Sequence, residues 1–213
     1  MTKLSIQGRA PRIRKRPSDF WERLKELDRF FQGRDEVHKT MRRLVKHLEK
    51  ANIPYAIVGG MAVFAHHYRR TTNDVDILLT PEGFAAFQRL FVPKHYRTMP
   101  KRSRRFLDRI NNMTLDILVT GHFPGSGKPG PISYPDPVDV RQTIEKIQIV
   151  NLPNLVQLKL AARRYQDFAD VVNLIRFNEL DESYSEKLHV SVRGDFIECL
   201  EEKRREDEYE ARE

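Results

Sequence analysis

Two aspartates lie two positions apart inside an apolar segment, in the sequence Asp74-Val75-Asp76-Ile77. Side chains at positions i and i+2 of a β-strand point to the same face, so an extended segment would bring the two carboxylates together. Like charges at that separation repel each other unless a cation lies between them. Magnesium binds proteins through one or two carboxylates together with substrate phosphates, so this pattern indicates a magnesium site for phosphate chemistry.

A third carboxylate occurs in a similar apolar setting, in the sequence Leu115-Asp116-Ile117-Leu118. If the two strands are neighbours, Asp116 converges on the first pair, and the three carboxylates could hold two ions about 3.5–4 Å apart, the spacing used for in-line phosphoryl displacement. We therefore expect Asp74, Asp76 and Asp116 to be both metal-binding and catalytic. The expected cofactor is two Mg²⁺ ions, with Mn²⁺ as the alternative metal.

Gly59 and Gly60 follow a short apolar segment, and thirteen residues separate them from Asp74. Glycine lets a phosphate approach the backbone closely, and a helix that begins there offers free N–H groups. A Gly-Gly pair by itself is typical of an ordinary turn. Its position shortly before two paired aspartates predicts a nucleotide site instead.

The segment from Gly59-Gly60 through Arg70-Thr71-Thr72-Asn73 to the aspartate pair resembles the signature of the polymerase-beta-like nucleotidyltransferase superfamily. The resemblance extends over roughly residues 44–177. It is strongest to minimal bacterial members, which include nucleotidyltransferase toxins of abortive-infection toxin–antitoxin systems. It implies that the glycine pair holds the triphosphate, that the three aspartates bind the metals, and that Asp116 helps to activate the acceptor hydroxyl.

A later stretch, from Leu158 to Asp170, is similar to a helical motif of the toxin-like members, in which a lysine faces the nucleotide. The resemblance assigns that role to Lys159, which would share a helix face with Arg163. The alternative is a solvated amphipathic helix, and Asp167 and Asp170 are expected to act as a cap and as ion-pair partners. Arg70 would either neutralise phosphate or pair with an aspartate. The expected nucleotide-binding residues are Gly59, Gly60, Arg70, Thr72 and Lys159.

The chain is basic, with a formal net charge of +8 at pH 7, although its last thirty or so residues are acidic. A basic surface attracts polyanions such as nucleic acid. We expect a nucleic-acid rim at Lys94, Arg97, Lys101, Arg102, Arg104 and Arg105. The segment Gly125-Ser126-Gly127-Lys128 fails the phosphate-binding-loop pattern because Pro129 follows the lysine, and it is interpreted as a loop beside the active site.

Apolar spacing predicts two leading helices, then alternating strands and helices, then a helical end. Ser18 is a candidate N-cap for the first helix, in which Trp21 is expected to be a core residue. Strands are expected at 55–58, 75–79, within 94–109, at 115–119 and at 144–150, and late helices at about 153–164, at 167–177 and from about 190. This order predicts an α/β (α+β) fold: a small mixed sheet of the nucleotidyltransferase type, flanked by helices, with helical segments at both ends.

Three regions are expected along the chain: a flexible basic arm at 1–17, an α/β core with its leading helices at 18–150, and a C-terminal helical region at 151–213 that packs on the core. The single cysteine, Cys199, excludes an internal disulfide and a cysteine-based zinc site and agrees with a cytoplasmic location. No run of about 18 apolar residues occurs, so we expect no membrane span.

The resulting hypothesis is a metal-dependent nucleotidyltransferase that moves a nucleoside monophosphate from a nucleoside triphosphate, such as ATP, onto an acceptor. Basicity favours an RNA or tRNA end as the acceptor, and a protein or a small molecule such as an aminoglycoside stays open. The protein could also be a toxin–antitoxin component with a cognate antitoxin as its partner. The alternative hypothesis is a non-catalytic basic protein on the same fold that binds nucleic acid or a partner.

Overall fold

A seven-stranded mixed sheet with helices on both sides organises the chain. The computed structural model describes residues 20–212, so the basic arm and Ser18 lie outside the described residues. The strands are β1 (Ala56–Ile57), β2 (Asp74–Leu79), β3 (Tyr96–Met99), β4 (Arg102–Asp108), β5 (Thr114–Val119), β6 (Arg141–Ile144) and β7 (Ile147–Val150).

The helices follow the predicted order along the chain. They are α1 (Phe20–Phe31), α2 (Glu36–Lys50), α3 (Gly59–Ala65), α4 (Pro81–Phe91), α5 (Pro137–Val140), α6 (Leu152–Ala162), α7 (Tyr165–Phe177), a 3₁₀ helix (Glu182–Lys187) and α8 (Val190–Glu210). The predicted α/β class is therefore confirmed. Within the described residues, no helix is both long enough and apolar enough to cross a membrane.

The sheet has the strand order β3-β4-β5-β2-β1-β7-β6, so β2 and β5 lie side by side at its centre. These two strands are parallel, whereas β4 runs antiparallel to β5 and β1 antiparallel to β2. One face of the central strands is fully buried, with Val75, Ile77 and Leu115 at 2% exposure or less, and α4 contacts both strands. The residues between them in sequence point to the opposite face, where the candidate site lies.

Local signals account for where several elements begin. The side chain of Thr80 accepts a hydrogen bond from Gly83 N, and Pro81 occupies the first turn of α4. Asn151 caps α6 in the same way, by accepting a hydrogen bond from the backbone N–H of Asn154. Such caps satisfy the free N–H groups of the first turn and so determine where each helix starts.

Three local expectations are wrong. The single strand expected at 144–150 is a hairpin of β6 and β7, in which Glu145 and Lys146 have φ angles of 47° and 69° and form a tight turn. Trp21 is 65% exposed and not part of the core, because α1 packs mainly through Phe30. Helix α6 ends at Ala162 and not near 164, because Arg163 adopts a left-handed conformation with φ of 54°.

Candidate active site

The three aspartates singled out in the sequence lie together on the open face of the central strands. In the parallel ladder of β2 and β5, Asp76 is directly opposite Asp116, and Asp74 is two residues before Asp76 on the same face. Each residue offers a carboxylate oxygen, and these oxygens all lie within 4.8 Å of one another. The expected convergence of the three carboxylates is confirmed.

This arrangement places negative charge where it is poorly solvated. Burial, then the neighbouring charges of Asp74 and Asp116, raise the pKa of Asp76 to about 7 from its usual 3.8. Packing gains nothing from this repulsion, whereas a divalent cation would relieve it. A set of three carboxylates is also the hard-oxygen donor set that magnesium and manganese prefer, so the residues present fit such a metal.

The glycine pair makes room for the aspartates and for Thr72. Gly59 has a φ of +58°, and a Cβ atom there would lie 1.9 Å from Oδ2 of Asp76. A Cβ atom on Gly60 would lie 2.6 Å from the side chain of Thr72, whose hydroxyl donates a 2.8 Å hydrogen bond to Asp74. Both glycines are therefore required by the close approach of the acidic strand to the start of α3.

Arg105 does not extend along the rim but binds a carboxylate of the site. It is opposite Asp116 in the antiparallel pairing of β4 and β5. Its Nε donates a 2.6 Å hydrogen bond to one oxygen of Asp116, and its Nη2 donates to the other. This two-pronged contact orients the third carboxylate and balances part of its charge.

A buried ion-pair network forms the wall of the cleft opposite the strands. Lys159 is 6% exposed, and its Nζ lies 3.1 Å from Asp167 Oδ1 and 2.6 Å from Asp170 Oδ2. Arg70 donates a 2.8 Å hydrogen bond to the same Asp170, and Arg164 lies 2.5 Å from Asp167. The two aspartates are the ion-pair partners that the sequence predicts, and the amine of Lys159 is held by them. Its contact with nucleotide stays a prediction.

The turn after α6 overturns the expectation that Arg163 shares a helix face with Lys159. Because Arg163 is left-handed, it does not share a helix face with Lys159, and it pairs with Asp195 at 2.8 Å. Arg164 instead lines the cleft, and its charge acts on Asp76. Sequence periodicity could not predict the positions of Arg163 and Arg164, because α6 ends at Ala162 and helical spacing does not apply beyond it.

The cleft between these walls has a volume of about 640 Å³. Four of the six predicted rim residues line it: Lys101, Arg102, Arg104 and Arg105. Lys94 and Arg97 do not line it, because they precede the β3–β4 turn that faces the cleft. Within residues 20–212, Lys101, Arg102 and Arg104 form no ion pair, so their charge is available to a ligand.

The Gly/Pro-rich segment between β5 and α5 closes another side of the cleft. Gly125, Ser126 and Gly127 line it, as expected for a loop beside the site. Gly125 packs so closely on the C-terminal end of α6 that a Cβ atom would lie 2.4 Å from the carbonyl oxygen of Ala162. Tyr134, which the sequence analysis did not single out, also lines the cleft. Nothing in the loop's composition marks it, because its position depends on how the whole loop folds back.

Comparison with known proteins shows which fold this is. No protein-family profile matches the sequence, and no curated protein is significantly similar to it. The structure is similar to that of ANT(2″)-Ia in complex with adenylyl-2″-tobramycin, with a TM-score of 0.51 and 14% identity over 76% of this chain and 97% of that chain. It is also similar to an antigenic nucleotidyltransferase-like protein from Paracoccidioides brasiliensis, with a TM-score of 0.52 and 18% identity over 81% and 90% of the two chains. The chain therefore shares the fold of these two proteins, with its three aspartates on the two central strands.

Proposed function

We propose that this protein is a metal-dependent nucleotidyltransferase that transfers a nucleoside monophosphate from a nucleoside triphosphate to an acceptor hydroxyl. The observation that carries the proposal is the convergence of Asp74, Asp76 and Asp116 in a cleft beside Gly59 and Gly60. A cluster of repelling carboxylates is costly in a basic protein and serves no packing purpose, which favours catalysis over simple binding of nucleic acid.

The three aspartates would hold two divalent cations, magnesium or manganese, which when bound neutralise phosphate charge and polarise the acceptor oxygen. In the reaction, the acceptor oxygen forms a bond to the α-phosphorus, and the bond from that phosphorus to the bridging oxygen breaks to release pyrophosphate. In this proposal Asp116 receives the proton of the acceptor hydroxyl, the role that the family resemblance implies for it. Arg105 keeps the carboxylate of Asp116 in a fixed orientation.

In this proposal the nucleotide binds between the aspartates and the wall that α6 and α7 form. Gly60 and Thr72 lie next to the aspartates, whereas Arg70 and Lys159 carry positive charge toward the α6–α7 wall. Lys159 contributes a positive field there while its amine stays bound to Asp167 and Asp170. The base of the triphosphate is left open, with ATP as one candidate.

We further propose an anionic acceptor, an RNA or tRNA end. Lys101 in the β3–β4 turn, and Arg102 and Arg104 on β4, line the cleft and form no ion pair with the described residues, and the acceptor backbone would lie along them. Every carboxylate that lines the cleft belongs to the metal cluster or, like Asp167, is already bound by cations. That charge balance disfavours an aminoglycoside acceptor, although the neighbour ANT(2″)-Ia was crystallised with adenylyl-2″-tobramycin. A toxin–antitoxin role, with an antitoxin partner, stays a prediction of the sequence resemblance.

The test is incubation with each labelled nucleoside triphosphate in turn, with magnesium or manganese, and with total RNA, total protein or an aminoglycoside as acceptor. We expect metal-dependent transfer of label to RNA and none in the Asp74→Asn variant. Transfer that persists in Asp74→Asn, or no transfer to any acceptor with either metal, would contradict the proposed function. Label found only on protein or aminoglycoside would leave the reaction in place and refute the RNA acceptor.

A further inference from the structure

Tyr134 is held in the cleft by the backbone of its own loop. Its N–H donates a 2.7 Å hydrogen bond to the carbonyl oxygen of His122, and its carbonyl oxygen accepts a 2.9 Å hydrogen bond from Gly121 N. Between these residues the loop runs out along the cleft and returns, with Gly125 packed against α6. The position of the tyrosine is therefore set by the fold of the loop and does not depend on its own hydroxyl.

Charged groups on several elements around the cleft influence the phenol of Tyr134. Asp76 on β2, Arg104 on β4 and Arg164 before α7 all act electrostatically on it. No hydrogen bond of the described residues uses its hydroxyl, although the ring is only partly exposed and most polar side chains around it are paired. Tyr134 lines the cleft together with the three aspartates, and a hydroxyl there without a hydrogen-bond partner among the described residues is suited to a ligand oxygen.

The same surroundings determine what the hydroxyl can do. Burial, reinforced by the negative charge of Asp76, raises the pKa of Tyr134 to about 12. The phenol therefore keeps its proton at any physiological pH and cannot serve as a general base. A neutral O–H donor next to Arg164 fits an anionic oxygen, and in this cleft the anionic oxygens are those of a phosphate chain.

We propose that Tyr134 is a further catalytic residue whose hydroxyl donates a hydrogen bond to the pyrophosphate portion of the bound nucleoside triphosphate. This inference rests on the proposed function. Negative charge grows on the pyrophosphate as its bond to the α-phosphorus breaks, so a donor placed there in advance stabilises the transition state more than the bound substrate. Arg164 contributes positive charge near the pyrophosphate, and the hydroxyl of Tyr134 orients it through a directional hydrogen bond.

The Tyr134→Phe variant tests this contact because it removes the hydroxyl and keeps the ring. We expect kcat to fall by about 10- to 100-fold, in line with the loss of one hydrogen bond to a charged group. Magnesium pyrophosphate, measured by calorimetry without any reaction, should bind at least about 5-fold more weakly than to the wild type. The melting temperature should stay unchanged, since the hydroxyl forms no hydrogen bond with the described residues. Tyr209→Phe is the matched control, because Tyr209 is 66% exposed near the far end of α8.

The outcomes separate this proposal from the function on which it rests. Unchanged pyrophosphate affinity and unchanged kcat in Tyr134→Phe would overturn the proposed hydrogen bond. A loss of kcat seen only in Tyr134→Leu would also overturn it, and would indicate that the ring stacks on the base of the nucleotide. If the wild type binds magnesium pyrophosphate but transfers no nucleotide, the proposed function fails, and the pyrophosphate affinities of wild type and Tyr134→Phe still decide the contact. A wild type that does not bind pyrophosphate would overturn the contact, and the label-transfer assay alone would then decide the proposed function.

Discussion

Replacing Asp76 with asparagine is expected to stabilise the metal-free protein at neutral and alkaline pH. The carboxylate of Asp76 is surrounded by protein and lies beside Asp74 and Asp116, and this environment raises its pKa to about 7. A folded-state pKa above the unfolded value means that protonation favours the folded state. That stabilising contribution is fully present below about pH 4 and is lost as the pH rises through 7. Asparagine keeps the neutral state at every pH.

The size of the effect follows from the same pKa. A rise from 3.8 to about 7, at about 1.4 kcal/mol per pKa unit, sets an upper bound of about 4 kcal/mol on the free energy lost by pH 8. The Asp76 side chain keeps some contact with water in the cleft, which screens part of the repulsion. We therefore expect a gain of about 2 kcal/mol for Asp76→Asn at pH 8, or about 4–8 °C in melting temperature for a chain of this size.

Thermal unfolding of both proteins in chelator, from pH 5 to pH 8.5, measures this gain directly. The stability gap between the two proteins should widen as the pH rises from 5 toward 8, and saturating magnesium should raise the melting temperature of the wild type alone. Asp139→Asn serves as the control, because Asp139 is an exposed aspartate on α5 outside the cleft. A variant that is less stable than the wild type at pH 8, or that gains as much from magnesium, would refute the account of a repulsive metal cluster.

Further predictions follow from the walls of the cleft. Gly59→Ala should abolish magnesium-dependent nucleotide binding because its Cβ would overlap the carboxylate of Asp76. Gly121→Ala is the control and should retain binding, because Gly121 also has a positive φ but no atom lies within 4 Å of the added Cβ. Lys159→Ala should cost about 3 kcal/mol in unfolding free energy, the low end for a broken buried ion pair, because Asp167 and Asp170 each lose one cation and keep an arginine. Arg164→Ala should weaken nucleotide binding or slow transfer at least about 5-fold. Its denaturant midpoint should change little, since the side chain of Arg164 is 72% exposed. An equal loss of stability in Lys159→Ala and Arg164→Ala would contradict the assignment of Lys159 to stability and of Arg164 to nucleotide binding. Arg102→Gln should lower the slope of log RNA affinity against log salt by about one, and an unchanged slope would show that Arg102 does not contact phosphate.

The sequence alone determined the chemistry of the strands. Alternation along a β-strand dictates that Asp74 and Asp76 share a face, and the apolar residues around Asp116 predict that it occupies a matching strand. The glycine pair could be placed next to these acids from its spacing alone. These inferences hold because each depends on strand geometry, which is set by neighbouring residues and varies little between proteins.

Only the tertiary structure decided which cations and which tyrosine line the cleft. Lys159 is bound by Asp167 and Asp170 because α6 and α7 fold against each other across a left-handed residue, and that turn also brings Arg164 to the cleft. Tyr134 reaches the aspartates only because a long Gly/Pro-rich loop returns on itself. Such placements depend on contacts between distant segments and on the conformations of single turn residues, and neither composition nor periodicity encodes them.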